Sequence, residues 1–91
     1  MSSRDIDVSI QELEEFMVAL RRFQDVTTDR LRNLETDWSK CDETWQGDSK
    51  NLFTEEFLKT KDAVQNSLDV GEEAYDWLSR FHEILIEFER H

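Results

Sequence analysis

Apolar residues recur every three or four positions in two long segments, which a polar stretch around residue 47 separates. The spacing averages close to 3.6 residues, so the apolar side chains of each segment share one face of an α-helix. The pattern therefore predicts two long amphipathic helices. The predicted faces comprise Leu13, Phe16, Leu20, Phe23, Thr27, Leu31, Leu34, Trp38, Cys41 and Trp45, then Phe53, Phe57, Val64, Leu68, Gly71, Tyr75, Leu78, Phe81 or His82, Leu85 and Phe88.

The start of the first helix carries two sequence signals. Ser9 and Glu12 match the S-x-x-E capping box, in which each residue bonds a free backbone N–H near the other. Val8 and Leu13 occupy the positions of a hydrophobic staple. We therefore expect the helix to begin at Ser9.

The stretch Thr44-Trp45-Gln46-Gly47-Asp48 lies at mid-chain and predicts a reversal. Glycine adopts positive φ at little cost, and an aspartate after it can cap a new helix. The expected fold is an all-α antiparallel helical hairpin in a single domain, residues 1–91. Its first helix covers about 9–43, its turn 44–48 and its second helix about 49–89.

A lone hairpin of this kind leaves a broad apolar flank, because two helices cover only one side of each other. We therefore expect a second hairpin to cover that flank, as a homodimer or heterodimer forming a four-helix bundle. The interface residues expected are Phe16, Leu20, Phe23, Leu34, Trp38, Trp45, Phe53 and Phe57. The tryptophans near the turn either plug the hairpin end or anchor a partner.

Two residues on the predicted faces have more than one interpretation. Gly71 is either a tolerated weak point in a helix or a place where the facing helix approaches closely. Cys41 is the only cysteine, which excludes an intrachain disulfide. Its position between Trp38 and Trp45 predicts a buried small side chain rather than a reactive thiol.

Composition narrows the possible partners. Charged residues make up 36% of the 91 residues and apolar ones 37%, and the formal net charge is -11. This acidity disfavours binding to nucleic acids and to anionic membrane surfaces, and a less acidic partner would reduce the repulsion on pairing.

The N-terminus reads Ser2-Ser3-Arg4-Asp5-Ile6-Asp7, which lacks the apolar stretch of a signal peptide. Even the longest apolar run, residues 16–20, is far shorter than the roughly 20 residues that span a membrane, and the run at residues 84–86 is shorter still. We expect cytoplasmic synthesis without membrane insertion, and any export by a route that needs no cleaved signal peptide.

No residue pattern indicates catalysis, a cofactor or a designed metal site. The sequence has no glycine-rich phosphate loop, zinc-ligand spacing or nucleophile elbow, and neither histidine completes Glu-x-x-His. His82 is expected at the edge of the apolar face. Glu83, Glu87 and His91 share one helical stripe, which leaves a metal-binding bundle as a distant third hypothesis.

The chain resembles the WXG family of small helical-hairpin proteins of type VII (ESX) secretion. Trp45-Gln46-Gly47 at mid-chain, followed by Ser49 and Phe53, carries the resemblance, which covers the whole length. It implies a non-enzymatic protein that dimerises into a four-helix bundle and is handled by a membrane-bound secretion ATPase. It further implies that Trp45 and Gly47 shape the turn and a composite recognition surface.

One part of the family pattern is missing. Secreted members or their partners carry Tyr-x-x-x-Asp/Glu near the C-terminus, but Tyr75 is followed four residues later by Ser79. The resemblance thus leaves the roles of secreted substrate, co-substrate or non-exported adaptor open. The alternative is a cytoplasmic coiled-coil adaptor or regulatory subunit unrelated to secretion.

Overall fold

The computed structural model describes residues 8–90, which form two helices: α1 (Ile10–Thr44) and α2 (Asp48–Arg90). Residues 45–47 join them, and the helices lie side by side in opposite directions in a rod of 67 × 19 × 14 Å. Within residues 8–90 there is no strand. The prediction of an all-α helical hairpin is confirmed.

The N-terminus of α1 is capped by Ser9, whose backbone is extended (φ -71°, ψ 123°). Its Oγ accepts the Glu12 N–H at 3.2 Å, and its carbonyl accepts the Leu13 N–H at 2.9 Å. The first bond gives a partner to one of the N–H groups that a helix start leaves unpaired, and the second is the first regular backbone bond of the helix. Ser9 is therefore the cap, and the helix itself begins one residue later than expected.

The reversal depends on Gly47, whose φ of +107° is a value that residues with a Cβ rarely adopt. The Gly47 carbonyl accepts the Lys50 N–H at 3.1 Å, which closes the first turn of α2. Asp48 was expected to precede and cap this helix. Instead it is the first helical residue, where its carboxylate faces the positive end of the helix dipole.

The seam between the helices repeats every seven residues, as in coiled coils. The sequence pattern predicted that Phe16 and Phe23 would face α2, but the structure places Met17 and Gln24 in the seam instead. The reason is that a seven-residue repeat keeps positions 10, 17, 24, 31 and 38 on one line. The buried or half-buried apolar and small residues of the seam are Ile10, Leu13, Met17, Leu20, Thr27, Leu31 and Trp38 on α1, and Phe57, Val64, Leu68, Gly71, Tyr75, Leu78 and Leu85 on α2.

The helices approach closely where Gln24 crosses α2. Gln24 is only 6% exposed, and its Nε2 donates a hydrogen bond of 3.0 Å to the Leu68 carbonyl. A Cβ added at Gly71 would lie 2.8 Å from both Cδ and Nε2 of Gln24, which is closer than real Cβ contacts. Of the two interpretations of Gly71, the structure supports the close approach.

The core is thin and is concentrated at the end of the hairpin away from the loop. Leu13, Met17 and Leu85 form its buried cluster, against which Ile10, Tyr75, Leu78 and Phe81 pack. Even Leu85, the most buried apolar side chain described, retains 4% exposure. Two helices alone therefore leave much of their apolar surface in contact with water.

Candidate interaction surface

Four aromatic rings pack together at the loop end of the hairpin. Trp38 lies 5.2 Å from Phe53 and 5.3 Å from Phe57, between ring centroids, and Trp45 stacks on Phe53 at 5.7 Å. Rings at these separations contribute roughly 0.5–1.5 kcal/mol per pair beyond the burial of their area. We call Trp38, Trp45, Phe53 and Phe57 the tip cluster; it holds the ends of α1 and α2 together.

Trp45 ends α1 and is held by two hydrogen bonds. Its backbone N–H donates to the Cys41 carbonyl at 3.0 Å, and its indole Nε1 donates to the Ser49 hydroxyl at 3.2 Å. The ring is half-buried. One face of the indole therefore packs against the turn, and the rest of the ring is accessible. Plugging the end of the hairpin and anchoring a partner are thus compatible roles for this side chain.

An open groove of about 390 Å³ lies beside the tip cluster. Its floor is apolar, and the acidic residues Asp37 and Glu56 stand among its walls. The complete lining is Leu34, Asp37, Trp38, Phe53, Glu56, Phe57 and Thr60.

The seam has two edges of opposite character. One edge, which we call the polar flank, is bridged by four contacts between the helices, and their α1 members Glu14, Arg21, Glu35 and Asp42 recur at multiples of seven residues. The contacts are Glu14–His82 (2.7 Å), Arg21–Glu72 (3.0 Å), Glu35–Lys61 (2.9 Å) and Asp42–Lys50 (3.2 Å).

Two of the basic groups on the polar flank are held in their charged forms by hydrogen bonds and neighbouring carboxylates. The hydrogen bond to Glu35, together with the attraction of its carboxylate, raises the pKa of Lys61 above 10.5. The hydrogen bond to Glu72 likewise raises the pKa of Arg21, and the Arg21 guanidinium lies 4.1 Å from the centre of the Tyr75 ring. The polar flank is thus closed by contacts within the chain.

The other edge, which we call the open flank, exposes aromatic and aliphatic side chains: Phe16, Phe23 and Leu34 on α1, and Phe53, Phe81 and Phe88 on α2. Leu34 and Phe53 line the tip groove, and Phe23 lines a second groove with Val64 and Ser67 on the same side. Phe81 is half-buried, while the other five are exposed.

The structure distributes the expected interface residues over three environments. Phe16, Phe23, Leu34 and Phe53 are exposed on the open flank. Leu20 and Trp38 are half-buried in the seam, and Trp45 is half-buried at the loop. Phe57 is 8% exposed and is already covered by α1 within the chain.

The prediction that Cys41 is buried is wrong, because the structure exposes it. The rings of Trp38 and Trp45 on either side of it fill the space against Phe53. Sequence reasoning also missed Gln24, since a polar residue breaks an apolar pattern. The signal was its spacing of seven from Met17 and Leu31, which places it in the seam.

His82 is half-buried at the seam edge, where its Nε2 lies 2.7 Å from a Glu14 oxygen. The structure places no group of three or more His, Cys, Asp or Glu residues in position to hold a metal within residues 8–90. The hypothesis that joined Glu83, Glu87 and His91 depends on His91, which lies outside those residues. Neither described helix is long and apolar enough to span a membrane.

Comparisons with models of protein families, with characterised proteins and with solved structures gave no match for this chain.

Proposed function

We propose that this protein is a non-enzymatic interaction module: a helical hairpin that pairs with a second hairpin to form a four-helix bundle. The observation that supports the proposal is the contrast between the two flanks. The polar flank is closed by four contacts between α1 and α2, whereas the open flank leaves Phe16, Phe23 and Leu34 exposed. Burying such side chains contributes roughly 1.5–3 kcal/mol each, which favours a partner on that side.

We further propose that the module acts in a type VII-like secretion system, as substrate, co-substrate or adaptor, and that a secretion ATPase handles it. The resemblance of residues 45–47 to the WXG family motivates this assignment. The geometry of the loop is compatible with it, because the Trp45 ring is partly accessible beside a groove and Gly47 makes the reversal.

A second candidate function is that of an adaptor that remains in the cell. Tyr75 lacks the acidic residue of the export signal, and its ring lies in the seam beneath the Arg21 guanidinium. A tyrosine engaged in this way is poorly placed for recognition by another protein. In this case the hairpin would bind a partner without being exported.

Co-purification with a type VII secretion ATPase tests the assignment. We expect the full-length protein to bind the ATPase and Trp45→Ala to lose binding. Ser49→Ala removes the hydrogen bond that orients the indole but keeps the ring, so it should weaken binding less. Leu52→Ala, which truncates an exposed side chain near the loop outside the tip cluster, is the matched control and should bind normally.

The secretion assignment is refuted if Trp45→Ala binds the ATPase as well as the unaltered protein while remaining folded by circular dichroism. It is also refuted if the unaltered protein shows no binding. Binding to the ATPase separates the secretion assignment from an adaptor unrelated to secretion. A culture assay then separates the roles within the assignment, since a substrate or co-substrate reaches the medium and an adaptor does not.

A further inference from the structure

The tip groove, the open groove of about 390 Å³ beside the tip cluster, has an apolar floor that is formed within the chain. Leu34 is 50% exposed and Phe53 is 43% exposed, so the floor is accessible to a ligand. Trp38 packs against both Phe53 and Phe57, which holds these rings in place. A site whose side chains are already fixed loses less conformational freedom when a ligand binds.

The charged residues that line the tip groove are both acidic. Asp37 on α1 and Glu56 on α2 contribute to its walls, and no lysine or arginine of residues 8–90 does. Asp37 is exposed, and its carboxylate makes no ion pair within the described part of the chain. Glu56 pairs with Lys59 at 3.2 Å, but the two side chains are 68% and 76% exposed, and such surface pairs contribute little. A cation in the groove would therefore meet two carboxylates with little competition.

The polar flank of the same chain shows how a ring and a carboxylate together hold an arginine. The Arg21 guanidinium lies 4.1 Å from the centre of the Tyr75 ring, and its Nη1 donates to a Glu72 oxygen at 3.0 Å. A guanidinium can stack on a ring and pair with a carboxylate at the same time, because it is planar and more weakly hydrated than an ammonium group. The tip groove offers the same two kinds of group, and its lining residues include no arginine.

The tip groove is short in comparison with the hairpin. Its lining residues fall within 34–38 on α1 and 53–60 on α2, which is about 6–10 Å of helix at about 1.5 Å per residue. The rod is 67 Å long. Three extended residues span about 10 Å, so the groove matches a short segment of another chain rather than a second hairpin.

We propose that the tip groove binds a short segment of a basic partner protein, in which an arginine and a large apolar residue project to the same side. The apolar side chain packs on the floor at Leu34 and Phe53, and the guanidinium pairs with Asp37 and Glu56. The net charge of -11 attracts a basic partner and opposes a second copy of this chain. Such a site is additional to the proposed function, because it concerns a segment bound at the loop end and not the pairing of hairpins along the rod.

A peptide titration of the full-length protein tests the site. The probe is acetyl-Ser-Leu-Thr-Arg-Ser-amide, in which the leucine and the arginine lie on the same side of an extended chain. We expect a Kd on the order of 1 mM, because a segment this short buries little area.

The tryptophan indole N–H signals report where the peptide binds in heteronuclear NMR spectra. Trp38 lines the groove, whereas Trp77 is about 30 Å from Phe57 along α2 at about 1.5 Å per residue. The Trp38 signal should shift as the peptide is added. The Trp77 signal should stay in place and serves as the internal reference.

Charge variants test the contact with the arginine. Asp37→Asn should weaken binding of the peptide about fivefold, because it removes a carboxylate that has no partner within residues 8–90. Asp69→Asn is the matched control: it makes the same charge change at an exposed residue outside the groove and should bind normally.

A peptide with citrulline in place of arginine has nearly the same shape and no charge. It should bind the unaltered protein about fivefold more weakly than the arginine peptide does. Asp37→Asn should then have no further effect on the citrulline peptide, since the charge that Asp37 meets is absent. This coupling separates a direct contact from a general attraction to an acidic protein.

Three results overturn the proposed site. The first is equal affinity for the arginine and citrulline peptides. The second is an equal loss of affinity in Asp37→Asn and Asp69→Asn, which would mean that only the overall acidity attracts the peptide. The third is a Trp38 signal that does not shift at millimolar peptide, including the case in which sedimentation of the same sample shows a second copy covering the groove. None of these results refutes the pairing of hairpins, which sedimentation measures independently of the peptide.

Discussion

Replacing Gly71 by alanine tests the close approach of the helices at Gln24. In an exposed helix interior the same change stabilises by about 1 kcal/mol, because alanine has the better helix propensity. Here the added methyl group would lie 2.8 Å from Cδ and Nε2 of Gln24, so the amide must move. Gln24 is 6% exposed and bonded to the Leu68 carbonyl, which gives it little room to do so.

The magnitude follows from the bond that is lost. Displacing Gln24 breaks its hydrogen bond to Leu68 and leaves a buried amide without a partner, which costs about 1–3 kcal/mol. After the gain of about 1 kcal/mol in propensity, Gly71→Ala should destabilise the protein by about 1 kcal/mol. For a chain of this size that corresponds to a fall in Tm of about 4–8 °C.

The assay is thermal and urea unfolding followed by circular dichroism at a fixed protein concentration. Gln24→Ala supplies the control background, because it removes the side chain that the methyl group meets. In that background Gly71→Ala should stabilise the protein, so the sign of its effect reverses between the two backgrounds. If Gly71→Ala stabilises the otherwise unaltered protein, Gln24 does not lie across α2 as described.

Three further predictions concern the tip cluster, the turn and the polar flank. Phe57→Ala should lower the free energy of unfolding by about 3 kcal/mol, whereas Leu52→Ala, at a site 67% exposed, should leave it within experimental error in the same unfolding assay. Gly47→Ala should cost about 1–3 kcal/mol through backbone strain alone, since no atom lies within 4 Å of the added Cβ; unchanged urea unfolding would contradict this. The pKa of Lys61 is raised above 10.5 in the folded protein, so its ion pair with Glu35 stabilises the fold below pH 10.5 and loses this effect at higher pH. The Tm of the unaltered protein should therefore exceed that of Glu35→Gln below pH 10.5, and the difference should shrink above it. A difference that stays constant would contradict this explanation.

The contrast between the flanks makes one side of the hairpin easier for a partner to cover than the other. Contacts such as Arg21–Glu72 and Glu35–Lys61 satisfy the polar flank within one chain, so a partner there would have to displace ion pairs. The open flank presents Phe23 and Leu34 to water, and covering them breaks no contact described within the chain. Charged contacts and exposed apolar side chains are thus distributed unequally around the seam, and the proposed pairing would use the open flank.

Several parts of the fold could be predicted because their causes are local. The capping signal at Ser9 acts over three residues, and the structure shows its side chain bonded to the Glu12 N–H. Gly47 was expected to reverse the chain, and it adopts the positive φ that a reversal at glycine requires. The two helices follow from periodicity and from the lack of proline.

Other features could not be predicted, because they depend on which residues of α1 meet which residues of α2. Hydrophobicity alone selected Phe16 and Phe23 for the face that meets α2, but the seam contains Met17 and Gln24. Cys41 was expected to be buried and is exposed. In each case the neighbouring position on the helix was equally consistent with an average period of 3.6 residues.

Two amphipathic helices, a capped start and a reversal at Gly47 can be read from the amino-acid sequence, because hydrogen bonding and backbone conformation act over a few residues. The crossing of Gln24 over α2 at Gly71 becomes visible only when the helices are packed together, and so do the charged contacts on one edge of the seam and the exposed phenylalanines on the other. The reason is physical: the relative rotation of two packed helices is set by the sum of their contacts, and no single segment of the chain contains that information.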